Sequence, residues 1–220
     1  MEKELKKYLS ELDAEGDQLI KVGKVLLEKF GMTEFTVFCI AILNRTINLN
    51  RGYISLLNEE NYIAAAPLVR INLDSLLRLF ASSQSEFDYE RFAYEVRNGK
   101  KIADIYDSNK KKKLHDSELV KRLKNIKGFS WVKDMYGIGS GFIHFSHQHV
   151  YSAMKIKGQK INGGIRKNDE FIPVKEKVAG AYFMIQCSKG IRVFIGDWID
   201  LVKKSYRPTN KFSGRKKPRC

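Results

Sequence analysis

Three of the chain's four histidines, His144, His147 and His149, lie in the stretch Trp131–Tyr151, which reads WVKDMYGIGSGFIHFSHQHVY. Histidine is the side chain that titrates nearest neutral pH, so this stretch is the first place to look for chemistry. A metal is one use of such a cluster. On a helix His144 and His147 share a face and His149 does not; on a strand His147 and His149 share a face and His144 does not. No HExxH or paired-cysteine spacing accompanies them, so no metal or other cofactor is expected, and a metal-dependent hydrolase ranks third among the readings. Ser140 is not a nucleophile elbow, because Ile138 and Phe142 stand where G-x-S-x-G needs glycine. The glycines at 137, 139 and 141 do not spell G-x-G-x-x-G either, and Gly137 and Gly141, one turn apart, are expected to let a partner helix approach.

What remains is general acid–base work on a phosphodiester without metal. Such a reaction needs a group to take the 2′-hydroxyl proton, a group to protonate the leaving oxygen and positive charge for the phosphorane. Read as one helix, the stretch aligns Tyr136, Ser140 and His144 on one face. A second apolar run, Asn61 to Phe80, carries Arg70, Asp74 and Arg78 at the same spacing. The two stripes are expected to face each other. His144 would then serve as acid or base, Arg70 or Arg78 would hold the phosphate, Asp74 would orient the imidazole, and Tyr136 and Ser140 would hydrogen-bond nearby. The same six residues also fit a buried polar network that only fixes helix register.

The elements that must position these residues read as helices. Apolar residues recur at three- and four-residue steps over 3–30, with a phase change near Gly16 and Gly31 as the C-cap. Thr33 is placed to cap a helix over 34–58, whose polar line is Asn44, Arg45, Asn48 and Arg51. Residues 58–61 form a turn. The third helix, to about Phe80, is apolar nearly all round and therefore central, with Pro67 expected to start or kink it. Asp74 is spaced to pair with either arginine. A weaker helical pattern covers 87–107, and a short basic helix covers 116–126. Asn162-Gly163-Gly164 signals the turn of a small hairpin whose strands fall near 152–161 and 165–172. Pro173 opens a helix over 174–206, and Pro208 stops it. The expected fold is mainly all-α: a helical bundle over 1–206 with a hairpin insert, followed by a disordered basic tail, 207–220.

The net charge of +15 is local. Arg97–Lys127 holds eleven Lys/Arg against four Asp/Glu, and Lys203–Cys220 holds eight against none; the rest sums to zero. Such runs suit nucleic acid, RNA before DNA, with Lys110, Lys111, Lys112, Lys113, Lys121, Arg122, Lys124, Arg215, Lys216 and Lys217 as the contacts. A solvated linker and a solubilising tail would look the same. There is no apolar run of membrane length and no secretory core, and Cys39, Cys187 and Cys220 are distant and odd in number. Reduced thiols, a cytoplasmic location and no membrane partner are expected.

The pattern L-x-R-x-x-x-D at Leu68–Asp74, followed by Y-x-x-x-S-x-x-x-H at Tyr136–His144, resembles the DUF5677 family of bacterial helical proteins over about 35–150. That family is thought related to the HEPN nucleases and toxins of phage-defence systems. The resemblance implies a metal-independent ribonuclease, a homodimer with its site at the interface and a possible partner protein from a defence system. It departs from the HEPN pattern in one respect. That pattern places an arginine four to six residues before the histidine, and none precedes His144, so Arg70 or Arg78 would have to serve. The alternative is a non-catalytic helical module that binds nucleic acid or a protein through its basic segments.

Overall fold

The computed structural model describes residues 2–205. It contains eight α-helices among those residues: α1 (Glu2–Phe30), α2 (Glu34–Asn58), α3 (Tyr62–Gln84), α4 (Tyr89–Arg97), α5 (Asp116–Leu123), α6 (Val132–Ile143), α7 (His147–Ser152) and α8 (Val174–Ser205). One antiparallel hairpin, β1 (Met154–Lys157) and β2 (Lys160–Gly163), follows α7. The mainly-α fold with a small hairpin is as the sequence predicts. None of these helices is long and apolar enough to cross a membrane. The tail at 207–220, with Arg215, Lys216 and Lys217, lies outside the described residues.

Local chemistry sets the helix ends. Gly31 takes a left-handed backbone (φ +64°), which costs glycine little, and its N–H donates to the Leu27 carbonyl. Thr33 then accepts from the Thr36 amide and starts α2. Asn61 caps α3 in the same way, accepting from Ala64. Pro67 neither starts nor ends α3, which begins five residues before it. The bond lost there is the one to the Ile63 carbonyl, on an exposed residue where water can replace it.

α1, α2, α3 and α8 make the bundle. Contacts climb together along α1 and α8, from Tyr8 with Tyr182 to Glu15 with Arg192, so these two run parallel. They also climb together along α3 and α8, from Asn72 with Met184 to Phe80 with Phe194. Against α2 they descend, Asn50 bonding Ser188 and Tyr53 bonding the Lys177 carbonyl. Leu19, Tyr53, Leu73, Leu76, Leu77, Ile185 and Ile191 are among the side chains buried in one contiguous core. Because α3 and α8 are parallel, the chain must travel back between them. Residues 85–173 make that return, and they carry α4 to α7 and the hairpin.

Four expectations are corrected in this return segment. The pattern over 87–107 yields only α4 and a single 3-10 turn at Ile102–Asp104. The hairpin turns at Gly158-Gln159, where Gly158 supplies φ +58°, and not at Asn162-Gly163-Gly164. Gly163 is instead a strand residue opposite Met154; a Cβ there would lie 3.0 Å from the Ala153 carbonyl oxygen, so glycine serves close approach rather than a turn. The run through Ile165, Phe171 and Ile172 is no strand, although Phe171 and Ile172 are buried. The histidine stretch is two helices and not one. Ser146 divides them: its hydroxyl donates to the Gly141 carbonyl near the end of α6 and accepts from the Gln148 amide at the start of α7.

Candidate functional site

α6 lies across α3 because Gly139 lets it. A Cβ at Gly139 would stand 2.9 Å from the Arg70 Cβ, so the two backbones meet at this pair. Gly137, by contrast, faces open space, and Gly141 faces the Gln148 side chain, so neither supplies the helix approach expected of them. One turn before Gly139, the Tyr136 ring lies under the Arg70 guanidinium, 4.4 Å from its centroid. The two polar stripes therefore do meet, at Arg70 and Tyr136.

The charges beneath are fully engaged. Arg70, only 9% exposed, donates to Asp116 at 2.9 Å. Arg78 bridges Asp74 at 2.5 Å and Asp116 at 2.7 Å. Asp74 also receives Arg45 from α2 at 3.1 Å. Asp74 thus pairs with Arg78 and Arg45 rather than with Arg70. Burial works to lower the Arg78 pKa, but the two aspartates outweigh it and raise it. Three arginines on two carboxylates tie α2, α3 and the first turn of α5 together. Ser140 takes no part in this lattice; its hydroxyl donates back to the Tyr136 carbonyl within α6.

His144 is not on the shared face. α6 ends at Ile143, and His144 follows with an extended backbone (φ −104°, ψ 143°) and an exposed ring. Its imidazole has no hydrogen-bond or ion-pair partner among the described residues. The other two histidines sit on α7: His149 Nδ1 accepts from the Ser146 amide, and the His147 ring meets Tyr151 edge-on. No group of three His, Cys, Asp or Glu side chains among the described residues is arranged to hold a metal ion. Cys39 and Cys187 are both buried, Cys187 against Met135 of α6, and burial pushes both thiols well above their ordinary range.

Asp116 and Asp107 are the residues sequence reasoning missed. The signal for Asp116 is a charge count: the α3 stripe holds two arginines and one aspartate, so a second acid must come from elsewhere. Asp107 is buried, accepts from the Lys111 and Lys112 amides at 2.8 and 3.2 Å, and pairs with Arg122 at 2.7 Å. Arg122, expected to face nucleic acid, is held between Asp107 and Glu118. Lys112 reaches Glu118 at 3.6 Å, which fastens the 107–113 loop onto α5. Lys110 and Lys113 lie near Glu86 and Asp104. Lys111, Lys121 and Lys124 carry no ion pair among the described residues, and Lys111 and Lys121 are exposed.

On the other side of α6 lies a cavity of about 520 Å³, walled by Tyr62, Val69, Phe142, Gln148, Phe171 and Phe183. Its size is that of a small-molecule chamber. Its walls are mainly aromatic and aliphatic, unlike a phosphodiester site. No family model matches the chain, and no curated protein or solved structure is similar enough to count as a match.

Proposed function

We propose that the chain is a helical nucleic-acid-binding module, for RNA before DNA, that holds the polymer through phosphate contacts rather than cutting it. The observation that carries this reading is the disposition of its cations. The Arg70 and Arg78 guanidiniums, needed to hold a phosphorane, already bind Asp74 and Asp116. Lys111, Lys121 and Lys124, on the adjoining loop and at the end of α5, form no ion pair among the described residues, although Glu118 feels the Lys121 charge. Cations in that state release condensed counterions when they meet a phosphate backbone, which gives affinity without sequence preference.

The HEPN-like ribonuclease is the second reading. In its favour, the His144 ring is exposed and unpartnered among the described residues, hence open to a substrate. One experiment separates the two. Fluorescent single-stranded RNA is titrated in EDTA over a salt series, with anisotropy for binding and a gel for cleavage. The proteins are wild type, His144→Ala and the triple Lys111→Gln, Lys121→Gln, Lys124→Gln. Binding should weaken with salt, and the triple variant should flatten the log–log slope by about 2, three contacts at about 0.7 each. The RNA should stay whole. Cleavage by wild type and not by His144→Ala would establish the second reading instead. Absence of salt-dependent binding would overturn the first.

A further inference from the structure

Summing charge over the whole chain hides another basic region. From Met135 to Asn168 the sequence holds three histidines and five Lys/Arg, with no aspartate or glutamate, in a chain that carries 25 acidic residues. The fold places this stretch in the second half of α6, in α7, and in the hairpin and the loop after it. The acids that follow are already occupied: Asp169 binds Lys177 and the Tyr62 amide, and Glu170 binds Arg166. The region is therefore complementary to an anion and to little else.

It is also aromatic where a soluble surface normally is not. Phe145 is 85% exposed, Tyr151 57% and Ile161 68%, with Ile143, Val150 and Ile156 exposed as well. Six exposed apolar side chains within one short segment make it a candidate contact surface. Phe145 is held rather than loose. Its ring stacks on His149 with centroids 5.5 Å apart and planes 18° apart, and His149 is itself fixed by the Ser146 amide. One face of the phenyl ring is thus supported, and the opposite face is open to solvent. Lys160 is exposed on β2, and Lys155 on β1 lies within reach of the Glu170 carbonyl at 3.5 Å.

Supported π-faces interleaved with cations are the two ingredients of sequence-tolerant single-strand binding. A duplex keeps its base faces stacked inside, so an outward phenyl offers it nothing. An unpaired strand can lay a base on the ring while its phosphates run along the lysines. We infer that the α6–α7 junction and the hairpin form a platform for single-stranded nucleic acid, with a base stacked on Phe145 and phosphates on Lys155 and Lys160. This rests on the nucleic-acid reading above and adds a second surface to it, chosen by strandedness rather than by charge alone.

The test uses the full chain with oligo(U), oligo(dT) and a duplex of equal length. The proteins are wild type, Phe145→Ala, Phe145→Tyr and the pair Lys155→Gln, Lys160→Gln, each checked by circular dichroism. Phe145→Ala should weaken single-strand binding about tenfold or more, leave duplex binding unchanged, and be rescued by Phe145→Tyr. The lysine pair should reduce the salt dependence. Oligo(U) against oligo(dT) compares an RNA strand with a DNA strand. If Phe145→Ala binds single strands like wild type while the Lys111, Lys121, Lys124 variant is weakened, the platform falls and the nucleic-acid reading stands. If wild type binds no nucleic acid, both fall. If Phe145→Ala instead turns a dimer into a monomer by light scattering, with affinity unchanged, the patch is an interface between copies and the inference is overturned.

Discussion

Arg70 is where a side chain's chemistry and a helix's position become one problem. Its stem passes beneath Gly139, its guanidinium lies on Tyr136, and its charge ends on Asp116. A nearly buried guanidinium is tolerable only with all three, since an uncompensated charge there costs several kcal/mol. Gly139→Ala places a methyl 2.9 Å from the Arg70 Cβ. It should destabilise by about 1–3 kcal/mol, as overpacking does. Gly137→Ala, with nothing near its added carbon, should stabilise by about 0.5–1 kcal/mol through helix propensity alone. Urea midpoints of the two variants should move in opposite directions; movement in the same direction would mean the α3–α6 contact is not made at Gly139. The arginine stripe and Tyr136 were legible because charge in an apolar helix is conspicuous. Asp116 was not, because an acid in a helix's first turn already has an ordinary reason to be there.

At the scale of elements, the segment over 107–113 is a loop ordered by one carboxylate. Asp107 gathers the Lys111 and Lys112 amides and the Arg122 side chain, and brings four consecutive lysines onto α5 despite their mutual repulsion. The Arg122 hydrogen bond, helped by those amides, lowers the Asp107 pKa from an ordinary 3.8 to about 2. The unfolded chain therefore binds this proton more readily than the folded one. The stabilisation is whole above the ordinary value and disappears as pH falls from about 4 through about 2. Asp107→Asn should melt at a lower temperature than wild type at pH 7, and the gap should close by pH 2. A gap independent of pH would show that the carboxylate's charge is not what pins the loop. Helix ends were readable wherever a cap residue was unambiguous, as at Thr33 and Gly31. Two were not. Ser146 works across the chain on the Gly141 carbonyl, a contact no periodicity reveals, so one apolar run concealed two helices and carried His144 off the shared face. The hairpin has two glycine sites, and only backbone conformation distinguishes the turn at Gly158 from the close approach at Gly163.

Across the whole molecule, stability and surface chemistry occupy different parts of the chain. Parallel α3 and α8 oblige residues 85–173 to run back along the bundle, and both the lysine loop and the aromatic platform lie on that return. The core is made chiefly by α1, α2, α3 and α8, with buried contributions such as Met135 and Phe142 from α6. Among the described residues the hairpin beyond α7 contributes no side chain to it, and β2 is exposed at every residue. Met154 and Gly163 already face each other across the hairpin, so a Gly-Gly link in place of residues 155–162 can join them without moving α7 or α8. That variant should keep the wild-type melting temperature and the wild-type denaturant m-value, because little surface buried in the native state is lost. Its affinity for oligo(U) should fall, while the duplex affinity proposed for Lys111, Lys121 and Lys124 should persist. A large drop in melting temperature would place the hairpin in the stabilising core, and equal loss on both nucleic acids would mean the chain presents one binding surface where two are argued.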